Sequence, residues 1–182
     1  MKERLLCMAV TVALAAAGGI AAEEVKVNWT YSGSQVDTVV DVNLDGTTAN
    51  EIHVWAKGAP GKVAINGMYE IVVLGPTEEC PYPLVDTHLL YSTYVARFES
   101  GDLLFARATS AEGGCIDPVT GTSTAVLHYD VVGGTGKYQG ATGSYEDSPT
   151  FIYLFQGTDP LNPVPFAALF GHSEGYIYTT DE

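Results

Sequence analysis

From residue 25 to residue 178 the chain lacks the recurrence of apolar side chains every three to four residues that a helix requires. Apolar and polar residues alternate instead, in short runs rich in valine, threonine and tyrosine. The runs cover 25–31, 38–42, 52–57, 62–74, 87–99, 102–110, 124–132, 143–146 with 150–156, and 166–178. Turn-forming stretches separate them, among them "NLDGTTAN", "KGAPG", "GPTEECPYP", "ESGD" and "GTDPLNPVP". Eight or nine strands at this spacing predict an all-β antiparallel barrel or sandwich. No linker divides the chain, so residues 23–182 are expected to form one domain, and a 46% hydrophobic content supplies its core.

Residues 1–22 stand apart. Lys2 and Arg4 precede the apolar run "LLCMAVTVALAAAGGIAA", which ends in small residues. That is the pattern of a secretory signal, cut near Ala22, and it predicts a secreted or periplasmic protein with no membrane span in the mature chain. Cleavage would remove Lys2, Glu3 and Arg4. Six basic and twenty-one acidic side chains would remain, a net of −15 against −14 for the whole chain. Such a surface repels phosphate backbones, which argues against nucleic acid as a partner. Cys7 would leave with the signal. Cys80 and Cys115, two cysteines in an exported chain, are then expected to pair as a disulfide. The alternative is a reactive thiol pair, which Glu78 and Glu79 beside Cys80 oppose by raising the thiol pKa.

The stretch "VVGGTGKYQGATGSYE" places Gly133, Gly134, Gly136, Gly140 and Gly143 around a single lysine, Lys137. A phosphate-binding loop would need glycine at Val131 and a hydroxyl residue at Tyr138. A dinucleotide fingerprint would need glycine at Gln139, and either loop should open a helix. These glycines are therefore expected to close the end of a barrel, with Tyr138 across its mouth as a plug.

This segment resembles the glycine-rich signature of the allene oxide cyclase and dirigent barrel group. It is similar above all to the "GGTGRFxGATG" form of small secreted bacterial members. "CPYPLV", "FESGDLLFARAT" and "CIDPVTGT" resemble the same subgroup in the same order. The resemblance implies an eight-stranded antiparallel barrel around a hydrophobic cavity, with no cofactor. Plant members cyclise an unstable fatty-acid epoxide or steer radical coupling, but none of their reactive residues can be matched to a position here.

Other constellations are weaker. Asp41, Asn43 and Asp45 in "DVNLDG" alternate ahead of a glycine, which suits calcium or a plain turn. His53, His88, His128 and His172 show no zinc spacing, although His128 and Asp130 share a strand face. A Ser100-Gly101 turn would set Phe98 opposite Leu103 and Ala96 opposite Phe105, placing Arg107 on the face of Tyr94, Ala96 and Phe98. Either Arg107 or Arg97 would then point into the fold. Glu70 is a buried carboxylate if its face is interior and a solvated charge if not, and the second reading is preferred because Val63, Ile65, Tyr69 and Ile71 make the better core face. Eleven tyrosines raise the possibility of an outer-membrane barrel, against which stand the short strands and the proline-rich segment 159–165. The functional expectation is a non-catalytic barrel that binds a small apolar ligand. The alternatives are a cofactor-free cyclase or isomerase and a purely structural exported protein. Oligomeric state is not readable from these residues.

Overall fold

In the computed structural model the alternating runs form eight strands that meet end to end in a ring. Residues 22–38, 47, 49–155 and 166–180 are described. The strands are β1 (Ala22–Asp37), β2 (Asn50–Ala59), β3 (Val63–Gly75), β4 (Val85–Phe98), β5 (Leu103–Asp117), β6 (Thr122–Gly134), β7 (Thr142–Phe155) and β8 (Phe166–Thr180). Each pairs antiparallel with its chain neighbours, and β1 pairs with β8 from Ala22↔Thr180 to Val36↔Phe166, so the sheet closes without an edge. Interior positions follow the pleat. On β1, Val25, Val27, Trp29 and Tyr31 are buried, while Glu24, Lys26, Asn28 and Thr30 face outward. An apolar inside and a polar outside on β1 is the reverse of a lipid-facing strand.

Two strand boundaries differ from the sequence reading. Thr38 is not in a strand, and the rest of the expected 38–42 run lies outside the described residues. β7 continues through Asp147, Ser148 and Pro149, where the sequence suggested a break. Pro149 is tolerated because the β6–β7 ladder is interrupted between Asp147 and Thr150, where its missing N–H matters least. On its other side it sits opposite Gly171 of β8.

The β4–β5 hairpin corrects the expected register by one residue. Gly101 N–H donates to Phe98 O and Phe98 N–H to Asp102 O, both at 3.0 Å, so the loop has three residues rather than two. Gly101 takes φ +94° at its last position, the left-handed site of a bulged three-residue turn. The pairs become Arg97↔Leu103, Ala96↔Leu104 and Thr93↔Arg107. A one-residue slip exchanges the faces of a strand. Leu104 and Ala106 are therefore buried, and both Arg97 and Arg107 are exposed outside the barrel.

The glycine segment closes one end of the ring. A three-residue 3-10 turn, Gly136–Tyr138, follows β6, and the chain returns to a strand at Thr142 rather than entering an α-helix. Tyr138 is buried and stacks on Phe98 at 4.4 Å between ring centroids. Burial pushes the Tyr138 hydroxyl up to about 12. A side chain at Gly134 would meet Leu103 O at 2.3 Å and the Tyr138 backbone oxygen at 2.7 Å, so this close approach requires glycine. Trp29, fully buried beneath this plug, donates from Nε1 to Gly61 O at 3.2 Å.

Candidate functional site

Below the closed end lies a layer of tyrosines supplied by three strands. Tyr94 of β4, Tyr129 of β6 and Tyr145 of β7 meet at centroid distances of 5.0 Å (Tyr94–Tyr129), 5.5 Å (Tyr129–Tyr145) and 6.1 Å (Tyr94–Tyr145). Tyr129 and Tyr145 are stacked, and Ser92 and Tyr129 share a hydrogen bond of 2.7 Å between their hydroxyls. Strand alternation delivers these rings to one level because each stands on an inward position of its strand. Tyr94 and Tyr129 form the floor of a cavity that occupies the other half of the barrel.

About 80 Å3 of that cavity is open to the centre of a water molecule. That is room for on the order of five waters, or for part of a small organic molecule. Ile52, Ile65, Ile71, Leu89, Leu127 and Phe151 are among the apolar side chains of its wall. The described side chains therefore leave this space open.

Asp147 puts a carboxyl on this wall, which also carries Thr87, Ser92 and Ser123. Asp147 follows Tyr145 by two residues on β7 and so faces the same interior. Ser173 of β8 donates to Asp147 Oδ1 at 2.8 Å, an interaction set by the pairing Asp147↔Ser173. Burial raises the Asp147 carboxyl to about 6, opposed by the Ser173 hydroxyl, the nearby Tyr31 and the charge of His172. Tyr31 leans toward Asp147 without meeting hydrogen-bond geometry, and the hydroxyl oxygens of Tyr31 and Tyr145 are buried with no partner. Burial followed by the Asp147 charge pushes both phenols well above their ordinary range, so they stay protonated. A carboxyl, the Ser173 hydroxyl and the Tyr31 hydroxyl thus meet at one point on a mainly apolar wall. Such a point can hold a polar head group, or exchange a proton with it.

A second polar group lies toward the open end. Tyr69 donates to Gln35 Oε1 at 2.6 Å, and Gln35 Nε2 donates to Asn50 Oδ1 at 2.7 Å and to Asp37 Oδ1 at 3.2 Å. Burial raises the Asp37 carboxyl, with the Gln35 hydrogen bond opposing. Tyr153, also on the cavity wall, is pushed up to about 12 by burial and then by the Asp37 charge. The Cys80–Cys115 disulfide, with Cα atoms 5.6 Å apart, ties the β3–β4 connection to β5 on the same side. Among the described residues, no three His, Cys, Asp or Glu side chains group to hold a metal ion, and no helix is long and apolar enough to cross a membrane.

The structure redistributes the residues singled out in the sequence. Glu70 is entirely buried rather than solvated, yet it does not line the cavity as Tyr69 and Ile71 on either side of it do. Glu70 keeps the face that alternation gives it, opposite Tyr69 and Ile71, and is nevertheless covered there; beside it β4 bulges, since Glu70 pairs with Tyr91 and Ile71 with Leu89 and Leu90 is an extra residue. Arg107 is outside the barrel, opposite Thr93 and Asp130. All four histidines point away from the cavity. His53 bonds Asn66 at 2.7 Å, His128 lies 3.8 Å from Glu112, and His88 and His172 are exposed. Asp41, Asn43 and Asp45 lie outside the described residues. Asp147 was missed because the sequence reading ended its strand at Glu146. Had "SYEDSPTFIY" been read as one strand, Asp147 would have shared a face with Tyr145, Phe151 and Tyr153.

No protein-family model matches the chain, and no curated protein or solved structure matches it either.

Proposed function

We propose that this is an exported binding barrel, related to the allene oxide cyclase and dirigent group, that takes a small amphipathic molecule into its open half. The apolar body lies along Ile52, Leu127 and Phe151, and a hydroxyl or amine head meets Asp147, Ser173 and Tyr31. One observation bears this reading: the Asp147 carboxyl, bonded by Ser173 and faced by Tyr31, stands on the wall of a cavity that the described side chains leave open. The order of the motifs resembling the bacterial subgroup supports the family. The disulfide and the leader-like N-terminus support export. Native mass spectrometry of protein purified from its own host tests the reading. A bound small molecule is expected, and Asp147→Asn is expected to lose it. Protein that carries no ligand and takes up no amphipathic probe overturns the reading.

A second reading rests on the Asp147 carboxyl near pH 6, a value suited to general acid–base work. In a cofactor-free isomerase or cyclase, Asp147 would move a proton on the bound molecule while the apolar wall sets its shape. Isomerisation leaves mass unchanged, so the bound and released molecules would share a mass and differ in chromatographic retention. Identical retention leaves binding alone.

A further inference from the structure

The outer wall of the barrel has a groove unrelated to the cavity. It measures about 710 Å3 across β1 to β4, and Thr30, Ser32, Trp55, Lys57, Lys62 and Arg97 stand along it. Trp55 is 74% exposed. Its neighbours across the sheet explain why: Ser32 on β1 and Ala64 on β3 are too short to cover an indole. Arg97 continues the same lateral row opposite Ala64. With strands about 4.8 Å apart, its Cα stands roughly 10 Å from that of Trp55. Lys57 shares the outward face of Trp55 two residues along β2, opposite Thr30.

Charge sets this groove apart. The chain has eight basic residues against twenty-two acidic ones, yet three of the eight gather here. Lys62 reaches Glu99 at 3.3 Å, with both side chains exposed. Among the described residues, Lys57 and Arg97 enter no ion pair. A cationic island with an open indole needs an occupant that offers a flat apolar face, hydroxyls and negative charge together. An acidic sugar chain has all three. A pyranose face stacks on the indole, sugar hydroxyls meet Thr30 and Ser32, and a carboxylate accepts the paired N–H groups of Arg97. Duplex nucleic acid carries about one charge per 1.7 Å, far denser than a uronate's one per sugar ring, and a few cations on a chain of net −14 do not offset it. A two-fold pairing through this face would set the same cations against each other.

We propose that the groove binds an anionic, uronate-type oligosaccharide, stacked on Trp55 and held by Arg97 and Lys57. The proposal is independent of the cavity reading. The chain has two tryptophans, and Trp29 is wholly buried, so a fluorescence response to an added sugar belongs to Trp55. At low salt a short galacturonate oligomer is expected to shift the emission, and rising ionic strength to weaken the effect. A neutral glucose oligomer of equal length is expected to bind more weakly. Arg97→Gln is expected to reduce galacturonate affinity roughly tenfold, the loss of one charged hydrogen-bonded contact. Arg107→Gln removes the same charge from β5 and is expected to change nothing. Trp55→Ala, followed by calorimetry, is expected to abolish binding while leaving the melting curve in place. The proposal is overturned by any of three results: no galacturonate binding, equal binding of the neutral oligomer, or equal losses in the two arginine variants. It is also overturned if Trp55→Ala dissociates an assembly of this chain in sedimentation, which would make the face a contact between copies.

Discussion

The two halves of the barrel interior are lined by the same eight strands, but one is solid and the other hollow. In the closed half, Trp29 and Leu104 are completely buried, and Phe98 packs between Trp29 and Tyr138. Tyr138 comes from the 3-10 turn rather than a strand, so it can reach the axis that strand side chains leave open. In the open half, Ile52, Leu127 and Phe151 are only partly buried, and their walls enclose free space. A ring of eight strands has an interior just wide enough for side chains to fill. Whether it fills depends on large rings and a plug at each level, and among the described residues a plug, Tyr138, stands at the closed end.

The sharpest way to break this contrast is to truncate one aromatic in each half. Trp29→Ala is expected to cost about 3–5 kcal/mol in urea unfolding, since it deletes a fully buried ring. Phe151→Ala is expected to cost less than half as much, because its side chain borders space that is already open. Equal losses would mean that the open half is packed in solution.

Next in size is the disulfide. Replacing Cys80 and Cys115 with serine is expected to cost roughly 3–4 kcal/mol, given a separation of 35 residues. Hydrogen exchange should speed up at the open-end amides of β4 and β5 while those beside Tyr138 stay protected. Uniform acceleration would deny the halves separate stability.

Asp147 offers a smaller test with a definite sign. An unfolded aspartate titrates near 3.9, whereas burial raises Asp147 to about 6. Between these values the folded state holds a proton that the unfolded state has lost. Raising the pH from 4 to 6 therefore removes stability contributed by this group, on the order of 1–3 kcal/mol, and the effect levels off above about pH 7. Asp147→Asn should lack that fall, so urea midpoints of the two proteins should diverge across this window. Parallel pH curves would place Asp147 in ordinary solvent. The smallest expected effect is that of Arg107→Gln. An exposed arginine outside the barrel should change stability by no more than about 0.5 kcal/mol, and a larger loss would return it to the interior.

Much of the architecture was legible in the residues, and the candidate site was not. Alternation announced the strands. Two cysteines behind a leader-like N-terminus implied a bridge, and the glycine segment lacked the pattern that opens an α-helix. The failures cluster where one residue is added to the pattern. Glu99 joins Ser100 and Gly101 in the turn and moves Arg107 outside, and Leu90 adds a bulge to β4 beside Glu70, whose burial on the outer face alternation did not announce. Pro149 looked like a strand end and so hid Asp147.

Local alternation determined that the chain would form sheets with one apolar face, because a period of two is written in each strand separately. Tertiary structure decided which side chains reach the axis. That outcome depends on turn lengths, bulges and the closure of β8 on β1, each set by partners distant in sequence. For this reason the closed end could be anticipated from the contiguous residues Val131–Glu146. The meeting of Tyr31, Asp147 and Ser173 required the finished ring.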